Sequence, residues 1–595
     1  MNGRFLDHFA DAPFVLLDDA RRVGASPARL YTQPQSIVTA QTLDEVRPAL
    51  EALDAGVASG LHAAGFITYD AGAAFEARVP ARKGDTPLVW FGLFAGYVEV
   101  PAAEVAGLLP DPAGAWVGAP RPLISKLDYM QALGAVKGYI EAGDIYQANL
   151  TFAAECNFSG HPLAVYAGLR GRAEAGYGGV IWTGEDWFLS ASPELFFVLS
   201  DGKITTRPMK GTLARVAGGD DQAASAALRS DPKQRAENLM IVDLLRNDLS
   251  RIAKPGSVQV PDLFTVETYP TLHTMTSTVT AQVRDDVGIA DLIATLFPCG
   301  SITGAPKIRA MQIVGEVEAQ ARGVYTGSIG RIDPDGKAAF NVAIRTLHIQ
   351  GRSGTARLGF ARLGLGGGIV ADSELDSEWR ECLTKGAFVA DTRVFDLIET
   401  MRFEPDRGIL LLDRHLARMG DSARALGFSF DRHAARNELQ TATFRLNGAR
   451  RIRLMLARSG QMAIEVSPLH ATPDEPVTVA VVPLPVSSHD FRLRHKTSHR
   501  GFYDAARMSA GTFEVILEDS EGYLTEGSFT NLFVERGGQL LTPRLTRGLL
   551  PGVLRAEMID SGKAVEADLT IADLDGTFWI GNASRGLLRA ILQQA

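Results

Sequence analysis

Three glutamate carboxylates in this sequence are candidate ligands for a metal ion. Glu237 lies in one apolar segment with helical periodicity, and Glu378 and Glu381 lie in another. Mg²⁺ prefers oxygen ligands and usually takes one or two protein carboxylates together with waters and an anionic substrate. Glutamates on helix surfaces are more often simply solvated, so spacing alone leaves both interpretations open.

A lysine near the other end of the sequence forms a second candidate group. Lys496 is followed thirty positions later by Glu526. A lysine amine that loses its proton can form a Schiff base with a carbonyl group. By type alone such a lysine is a solvated side chain, and only its surroundings can favour the catalytic interpretation.

Two predicted helices must position the three glutamates. Asp231 and Pro232 have the chemistry of a helix cap and first turn, and the apolar residues that follow place Glu237 in an early turn. A second helix is predicted over 373–385. There Glu374, Glu378 and Glu381 fall at i, i+4 and i+7, so they should line one face.

Length and composition limit the classes of protein. A chain of 595 residues exceeds what one core supports, and 22% charged with 46% hydrophobic residues excludes disorder. A net charge of −9 gives no basic surface for nucleic acid or membrane. Cys156, Cys299 and Cys382 form no C-x-x-C motif, and no signal pattern or membrane-length apolar run is visible, so we expect a cytoplasmic protein.

The pattern of apolar and turn residues divides the chain into three regions. Up to about residue 125, short apolar runs alternate with Gly, Pro and Asp turns, which predicts mostly strands. Longer helical patterns interleaved with strands extend to about residue 385. From Asp391 the pattern predicts strand, turn, strand and an amphipathic helix. No linker rich in Pro or Ser separates the second region from the third, so we expect them to form two units that abut.

Eight short segments in the first two thirds occur in a characteristic order: GDIYQANLT, SPELFF, RPMKGT, AENLMIVDLLRNDLSRI, GSITGAPKIRAM, YTGSIG, AIRT and LGGGIVADS. Together they resemble the chorismate-utilising enzymes, which include anthranilate synthase component I, aminodeoxychorismate synthase component I, isochorismate synthase and salicylate synthase. The resemblance implies an α+β fold with two packed sheets flanked by helices. The implied domain spans 1–388, with 1–120 as its N-terminal part.

The resemblance also assigns roles. It implies Mg²⁺ ligation by Glu237 and Glu381, with Glu378 as a neighbour that acts through water. His273 matches a catalytic position. An arginine can clamp a carboxylate, and a glycine turn lets backbone N–H groups approach an anion. The implied chorismate contacts are Gly211, Thr212, Lys307, Tyr325, Arg345 and the turn Gly366, Gly367 and Gly368. The same glycine run lacks the register and following helix of a dinucleotide site.

Lys210, in RPMKGT, discriminates among the family members. Anthranilate synthases carry a small residue here, whereas aminodeoxychorismate synthases carry lysine. The implied mechanism has Lys210 add to C2 of chorismate while the C4 hydroxyl leaves, protonated by Glu194; ammonia then adds at C4 as the lysine departs. The alternative is that Lys210 only pairs with a substrate carboxylate. No cysteine lies in a glycine-flanked nucleophile elbow, so ammonia is expected from a separate glutamine amidotransferase subunit.

The C-terminal third contains HKTSHRGFYDAAR, EGYLTEGSFTNLFV, LTRGLLPGVLR and GNASRGL in that order. These segments resemble the fold-type IV pyridoxal-phosphate enzymes, the family of branched-chain and D-amino-acid aminotransferases and 4-amino-4-deoxychorismate lyase. The resemblance implies an α/β domain over 389–595. Lys496 would hold pyridoxal phosphate as a Schiff base and Glu526 would pair with its pyridine nitrogen. The implied phosphate ligands are Arg418, the backbone at Val553 and the hydroxyl of Ser584.

Combined, the two resemblances predict a bifunctional enzyme of folate-precursor synthesis. It would aminate chorismate at C4 and then eliminate pyruvate to give 4-aminobenzoate, using Mg²⁺ and pyridoxal 5'-phosphate. The first alternative is an anthranilate synthase component I fused to an aminotransferase, and the second is a non-catalytic ligand-sensing scaffold. By analogy with stand-alone lyases, a homodimer through the C-terminal domain is also expected.

Overall fold

The computed structural model describes residues 12–215, 218–268, 272–351, 359–471, 473 and 476–593. The strands of the first unit are Phe14–Asp18 (β1), Ala28–Thr32 (β2), Ser36–Ala40 (β3), His62–Ile67 (β4), Val89–Phe94 (β5), Val98–Val100 (β6), Trp116–Val117 (β7), Arg121–Pro122 (β8), Gln147–Ser159 (β9), Gly178–Trp182 (β10), Asp186–Ser190 (β11), Leu195–Ser200 (β12), Lys203–Arg207 (β13), Met209–Ala214 (β14), Gln259–Thr268 (β15), Leu272–Gln282 (β16), Gly304–Ala305 (β17), Ser328–Ile332 (β18), Ala338–Asn341 (β19), Thr346–Gln350 (β20) and Gly359–Ile369 (β21). Its α-helices are Leu43–Ala58 (α1), Val105–Leu108 (α2), Lys126–Glu141 (α3), Pro162–Ala173 (α4), Asp221–Ser230 (α5), Pro232–Ser250 (α6), Ile289–Leu296 (α7), Lys307–Val317 (α8) and Leu375–Gly386 (α9).

Two large sheets pack face to face in this unit. One has the order β17-β9-β21-β20-β11-β10-β1-β2-β6, with β7 and β8 paired to β9; the other has the order β14-β16-β13-β12-β19-β18-β4-β5-β3, with β15 paired to β16. Both faces of the central strands are apolar because both are covered: Phe14 and Leu16 face helices, while Val15 faces the opposite sheet. Buried rings such as Phe66 and Phe188, 4.7 Å apart, fill the space between the sheets. The prediction of an α+β fold is confirmed.

The helices that carry the glutamates begin close to where the sequence predicts. Asp231 caps α6, since its side chain accepts hydrogen bonds from the backbone N–H groups of Lys233 and Gln234. Glu374 is the N-cap residue of α9. Ile241, Leu245 and other apolar residues of α6 pack into the core beneath the second sheet. This anchoring leaves the polar side of the first turns free to face a cavity.

The second unit has two smaller sheets. Its strands are Leu397–Glu404 (β22), Gly408–Ile409 (β23), Arg450–Leu456 (β24), Met462–Pro468 (β25), Val477–Pro483 (β26), Glu514–Glu518 (β27), Leu524–Gly527 (β28), Asn531–Arg536 (β29), Gln539–Pro543 (β30), Ala564–Ala567 (β31), Phe578–Asn582 (β32) and Gly586–Leu592 (β33). Its α-helices are Leu412–Leu426 (α10), Arg432–Thr443 (α11), Phe491–Arg494 (α12), Gly501–Ala510 (α13) and Val553–Asp560 (α14). The sheet orders are β23-β22-β24-β25 and β28-β27-β26-β33-β32-β29-β30-β31.

The two units share part of a hydrophobic core. Trp116 of β7 is only 2% exposed and packs with the apolar residues under the four-stranded sheet. The Arg458 guanidinium lies 5.4 Å from the centre of the Trp116 ring. Arg393 reaches back to the carbonyl of Ala115, and the Asp391 N–H donates to the Val117 carbonyl. The second unit is therefore packed against the first, in agreement with the expectation that the units abut.

No helix within the described ranges has both the length and the apolar character needed to cross a bilayer.

We expect Trp116→Ala to destabilise the second unit by about 3–5 kcal/mol, because it leaves a cavity in that unit's core. Urea unfolding of the full chain, followed by far-UV circular dichroism and by limited proteolysis of 396–591, measures this. Phe360→Ala is the matched control, since Phe360 is also aromatic but 51% exposed. Equal effects of the two substitutions would contradict the shared core.

Candidate active sites

A cavity of about 300 Å³ opens where the two sheets of the first unit meet α6 and α9. Glu237 reaches it from α6, and Glu378 and Glu381 reach it from α9. Lys210 of β14 and Glu194, which immediately precedes β12, line the same cavity. A larger adjoining cavity of about 620 Å³ contains none of these five side chains. The candidate site is therefore the smaller cavity.

A strand irregularity aims Lys210 into this cavity. The pairing of β14 with β16 shifts register between Met209 and Thr212, and Gly211 has a φ of +94°, which favours glycine. Gly368 faces the amine from β21. A Cβ atom at Gly368 would lie only 2.9 Å from Lys210 Nζ, so the glycine leaves room for the lysine side chain.

The surroundings change the protonation of Lys210 and Glu194. Burial among protein atoms lowers the pKa of Lys210, the nearby Lys385 ammonium lowers it further, and Glu237 and Glu194 oppose the shift. Burial raises the pKa of Glu194 to about 7, against the hydrogen bond that Ser301 Oγ donates to Glu194 Oε1 at 2.7 Å. The site therefore holds an amine that gives up its proton readily beside a carboxyl that retains one near neutrality.

The three glutamates differ in their electrostatics. Burial raises the pKa of Glu237 and of Glu378. Burial also opposes ionisation of Glu381, but the Lys385 ammonium 2.8 Å away outweighs it and lowers the pKa. In the described residues, no group of three or more His, Cys, Asp or Glu side chains is arranged to enclose a metal ion. Glu237 and Glu381 nevertheless line one cavity from two different helices, so together they could supply two carboxylates to a Mg²⁺ ion that completes its shell with water and substrate.

A second cavity, of about 510 Å³, lies between the two sheets of the C-terminal unit. Lys496, from the segment between α12 and α13, faces it together with Glu526 of β28. The remaining candidate residues Arg418, Val553 and Ser584 line the same cavity. Gly552 precedes α14, and a Cβ atom there would lie 1.7 Å from Asn531 Oδ1, so only glycine permits this approach.

Burial and neighbouring groups shift the pKa values of Lys496 and Glu526 in this cavity. Burial and the positive charges of Arg418 and Arg500 lower the pKa of Lys496 to about 7. Burial raises the pKa of Glu526 to about 7, although its Oε1 accepts hydrogen bonds from the Tyr503 hydroxyl and the Leu550 N–H. A pyridine nitrogen that carries a proton would favour the ionised form of Glu526, so the pair fits pyridoxal phosphate.

The cationic end of the cavity is held in place by a buried carboxylate. Arg418 makes two hydrogen bonds to Glu399, at 2.8 and 2.6 Å, and a third to the carbonyl of Pro551. Burial opposes ionisation of Glu399, but Arg418 and His415 lower its pKa to about 2. The Arg418 guanidinium is thereby fixed beside the N-terminus of α14 and Ser584, an arrangement that suits a phosphate.

Comparison with known proteins now identifies the larger unit. Residues 13–391 match the model of the chorismate binding enzyme family. The chain belongs to the chorismate-binding enzymes. Residues 396–591 match the class IV amino-transferase model, which implies a pyridoxal phosphate cofactor for the second unit.

Individual relatives of this chorismate-binding enzyme agree with the family match. An aminodeoxychorismate synthase component 1 from Klebsiella aerogenes is 43% identical over 44% of this chain and 57% of its own length. An anthranilate synthase component 1 from Methanothermobacter marburgensis is 34% identical over 56% of this chain and 75% of its own. The crystal structure of anthranilate synthase component I from Streptococcus pneumoniae TIGR4 aligns with a TM-score of 0.53 at 25% identity, covering 64% of this chain and 92% of the other. The chain spans little more than half of the Klebsiella relative.

Most of the predicted chorismate contacts converge on the first cavity of the chorismate-binding unit. Gly211, Tyr325, Arg345, Gly366 and Gly368 line it. The prediction that Gly366–Gly368 form a turn is wrong, because these residues lie inside β21, paired with Thr151, Leu150 and Asn149 of β9. Glycine is needed here for close packing: a Cβ atom at Gly364 would meet the Tyr325 ring at 2.0 Å.

Four predicted residues are placed differently. Gly367 is not in the lining, although a Cβ atom there would lie 3.3 Å from Glu378 Oε2. His273 of β16 lies outside the lining, with Nδ1 3.0 Å from the Thr268 hydroxyl. Lys307 pairs with Asp248 at 2.6 Å and is likewise not in the lining. Thr212 pairs with Thr274 in the sheet, and its side chain falls outside the described residues.

The sequence interpretation missed residues that hold the reactive groups. Ser301, Glu399 and Tyr503 each donate to or accept from a candidate catalytic or cofactor-binding side chain. Ser301 and Tyr503 lie in quoted motifs, GSITGAPKIRAM and HKTSHRGFYDAAR, so motif membership was a signal for them. Glu399 has none, since its partners Arg418 and His415 come from the next helix.

Lys496 should react with a small amine-labelling reagent in the cofactor-free chain with a midpoint near pH 7, measured by peptide mass spectrometry. Arg500→Met removes a charge that lowers the pKa of Lys496, so the midpoint should move to higher pH. Glu526→Gln removes a charge that raises it, so the midpoint should move to lower pH. Shifts of the same sign in both variants would refute this electrostatic account.

Proposed function

We propose that the chain makes 4-aminobenzoate from chorismate in two steps. The first unit, 1–388, would aminate chorismate at C4, and the second, 389–595, would eliminate pyruvate from the product. The observation that carries the first step is Lys210, a lysine whose pKa is lowered, in one cavity with Glu194 and three glutamates. The relatives named aminodeoxychorismate synthase component 1 support this choice.

In the first step the chain's own residues have separable tasks. Glu194, protonated near neutrality, donates its proton to the C4 hydroxyl, which leaves as water. The neutral form of Lys210, which its lowered pKa favours, adds at C2 as that bond breaks, and ammonia then adds at C4 as the lysine leaves. Arg345 provides a guanidinium for a substrate carboxylate. Glu237 and Glu381 would hold Mg²⁺, which would neutralise the charge of a substrate carboxylate.

In the second step Lys496 moves the proton. Arg418, Glu526, the Val553 N–H and Ser584 would hold pyridoxal phosphate, which would withdraw electrons from the carbon that bears the amine. Lys496, whose pKa is about 7, takes the proton from C4 of the ring as the C3–O bond breaks. The leaving enolate takes up one proton and becomes pyruvate, and the ring becomes aromatic.

We also propose a partner and a compartment. Ammonia would come from a separate glutamine amidotransferase, since relatives carry the designation component 1. All three cysteines are buried free thiols, which suits a reducing cytoplasm. We further propose that two copies of the chain form a homodimer through the second unit.

One incubation tests the function. The full chain receives chorismate, ammonium and Mg²⁺, with and without pyridoxal phosphate. The products are separated by liquid chromatography and identified by mass and by retention time against standards, because 4-aminobenzoate and anthranilate have the same mass. We expect 4-aminobenzoate and pyruvate with the cofactor, and an aminated chorismate without it. Anthranilate would instead establish the alternative that the Methanothermobacter relative supports. An aminated product that persists with the cofactor would refute the lyase step.

Ser301→Ala should move the alkaline limb of the chorismate amination rate to higher pH. The Ser301 hydroxyl lowers the pKa of Glu194, so its loss keeps Glu194 protonated to higher pH. The pH profile of kcat/KM measures this, and Ser301→Thr, which keeps the hydroxyl, is the control. An alkaline limb that does not move would remove Glu194 as the acid.

Glu237→Gln and Glu381→Gln should each weaken the apparent Mg²⁺ affinity at least about 10-fold, because each removes a charged ligand. Titration of Mg²⁺ against the rate of chorismate consumption measures it. Glu374→Gln, at the N-cap of the same α9, is the matched control outside the cavity. Unchanged affinity in both cavity variants would exclude them as ligands.

A further inference from the structure

The cavity of the C-terminal unit contains more positive charge than the cofactor needs. Among the described residues five arginines line it, and Glu526 is the one carboxylate in the lining. Arg418 is already paired with Glu399 at the phosphate end. The lining arginines are Arg418, Arg451, Arg500, Arg507 and Arg585.

Two of these arginines form a group of their own with His470, which we call the arginine pair: Arg451 of β24 and Arg585, just before β33. Arg451 Nη1 lies 2.6 Å from His470 Nε2. A guanidinium can only donate, so His470 Nε2 accepts that hydrogen bond. Burial and the charges of Arg585 and Arg451 lower the pKa of His470, which favours this neutral form of the ring. The charges that act on Lys496 come from different residues, namely Arg418, Arg500, Glu399 and Glu526. The arginine pair is thus distinct from the group around Lys496.

The Arg585 guanidinium is poorly neutralised. It lies 5.8 and 5.6 Å from the ring centres of Phe513 and Phe529. In the described part of the chain its guanidinium makes no hydrogen bond or ion pair with an acid, and Glu514 acts on it only through longer-range electrostatics. Arg451 has Glu465 at 3.6 Å, beyond hydrogen-bond distance, and a hydrogen bond to the Ser467 hydroxyl. Two half-buried guanidinium groups that, among the described residues, share only one ion pair, between Arg451 and the exposed Glu465, can make a receptor for an anion.

We propose that the arginine pair binds a carboxylate of the substrate and restricts the second unit to ring dicarboxylates. This proposal rests on the proposed function, whose intermediate carries two carboxylates in addition to the amine that meets the cofactor. A branched-chain amino acid has one carboxylate, on the carbon that bears its amine, and no second carboxylate for the arginine pair. With that substrate the two guanidinium groups would stay unneutralised in a half-buried site. The pair therefore favours the lyase over a branched-chain aminotransferase.

Arg451→Met and Arg585→Met keep most of the side-chain volume and remove the charge. With the cofactor-loaded full chain and aminodeoxychorismate, we expect KM to rise about 10- to 100-fold in each variant, the loss typical of a charge-assisted pair. We expect kcat and the affinity for pyridoxal phosphate to change less than threefold, which is ~0.65 kcal/mol at 25 °C. Arg536→Met is the matched control, since Arg536 pairs with Asp573 outside the cavity.

A binding measurement separates failure of this proposal from failure of the proposed function. Calorimetric titration of each cofactor-loaded protein with isophthalate, a ring dicarboxylate, and with benzoate, which has one carboxylate, needs no turnover. The unsubstituted chain should prefer isophthalate about 10-fold or more, and both variants should lose that preference. If no 4-aminobenzoate forms from aminodeoxychorismate but this pattern holds, only the lyase step is wrong. Unchanged KM and unchanged preference, or a weakened cofactor with unchanged KM, would overturn the role of the arginine pair.

Discussion

An ammonium group loses hydration when a protein surrounds it, and this cost shifts it toward the neutral, nucleophilic form. Burial lowers the pKa of two lysines in this way, Lys210 in the first unit and Lys496 in the second. In both places further cations add to the effect of burial, and carboxylates limit it. The rest of each site follows from this choice, because a neutral amine needs a proton donor or acceptor nearby and a firm hold on an anionic ligand.

The two units position their buried lysines and the surrounding groups in different ways. In the first unit a register shift at Gly211 turns Lys210 inward, and Gly368 on the neighbouring sheet leaves space for the amine. In the second unit the buried carboxylate of Glu399 fixes Arg418, whose guanidinium suits a phosphate and depresses the pKa of Lys496. The first unit uses an unusual backbone position and the second uses a buried charge, and in both a sheet surrounds the site. The reactive groups are therefore in place before any ligand binds.

How far the sequence predicts this arrangement depends on the range of the interaction. The start of α6 at Asp231 is encoded locally, by a cap and a proline, and it was predicted. The motif order placed Glu194, Lys210, Glu237 and Glu381 in one site, and they do line one cavity. The glycine run was expected as a turn, but it is a central strand, because close packing against Tyr325 and Lys210 requires glycine as firmly as a turn does. The partner of Arg418 was invisible, since Glu399 lies on another element with no spacing relation to it.

The central claim is that Lys210 acts as a nucleophile in the amination of chorismate. Peptide mass mapping of the intact protein after incubation with chorismate and Mg²⁺, but without ammonia, tests it directly. The account predicts an adduct on the peptide that contains Lys210, carrying the chorismate skeleton less one water, and its release when ammonium is added. Absence of the adduct, together with full amination activity in Lys210→Ala, would contradict it.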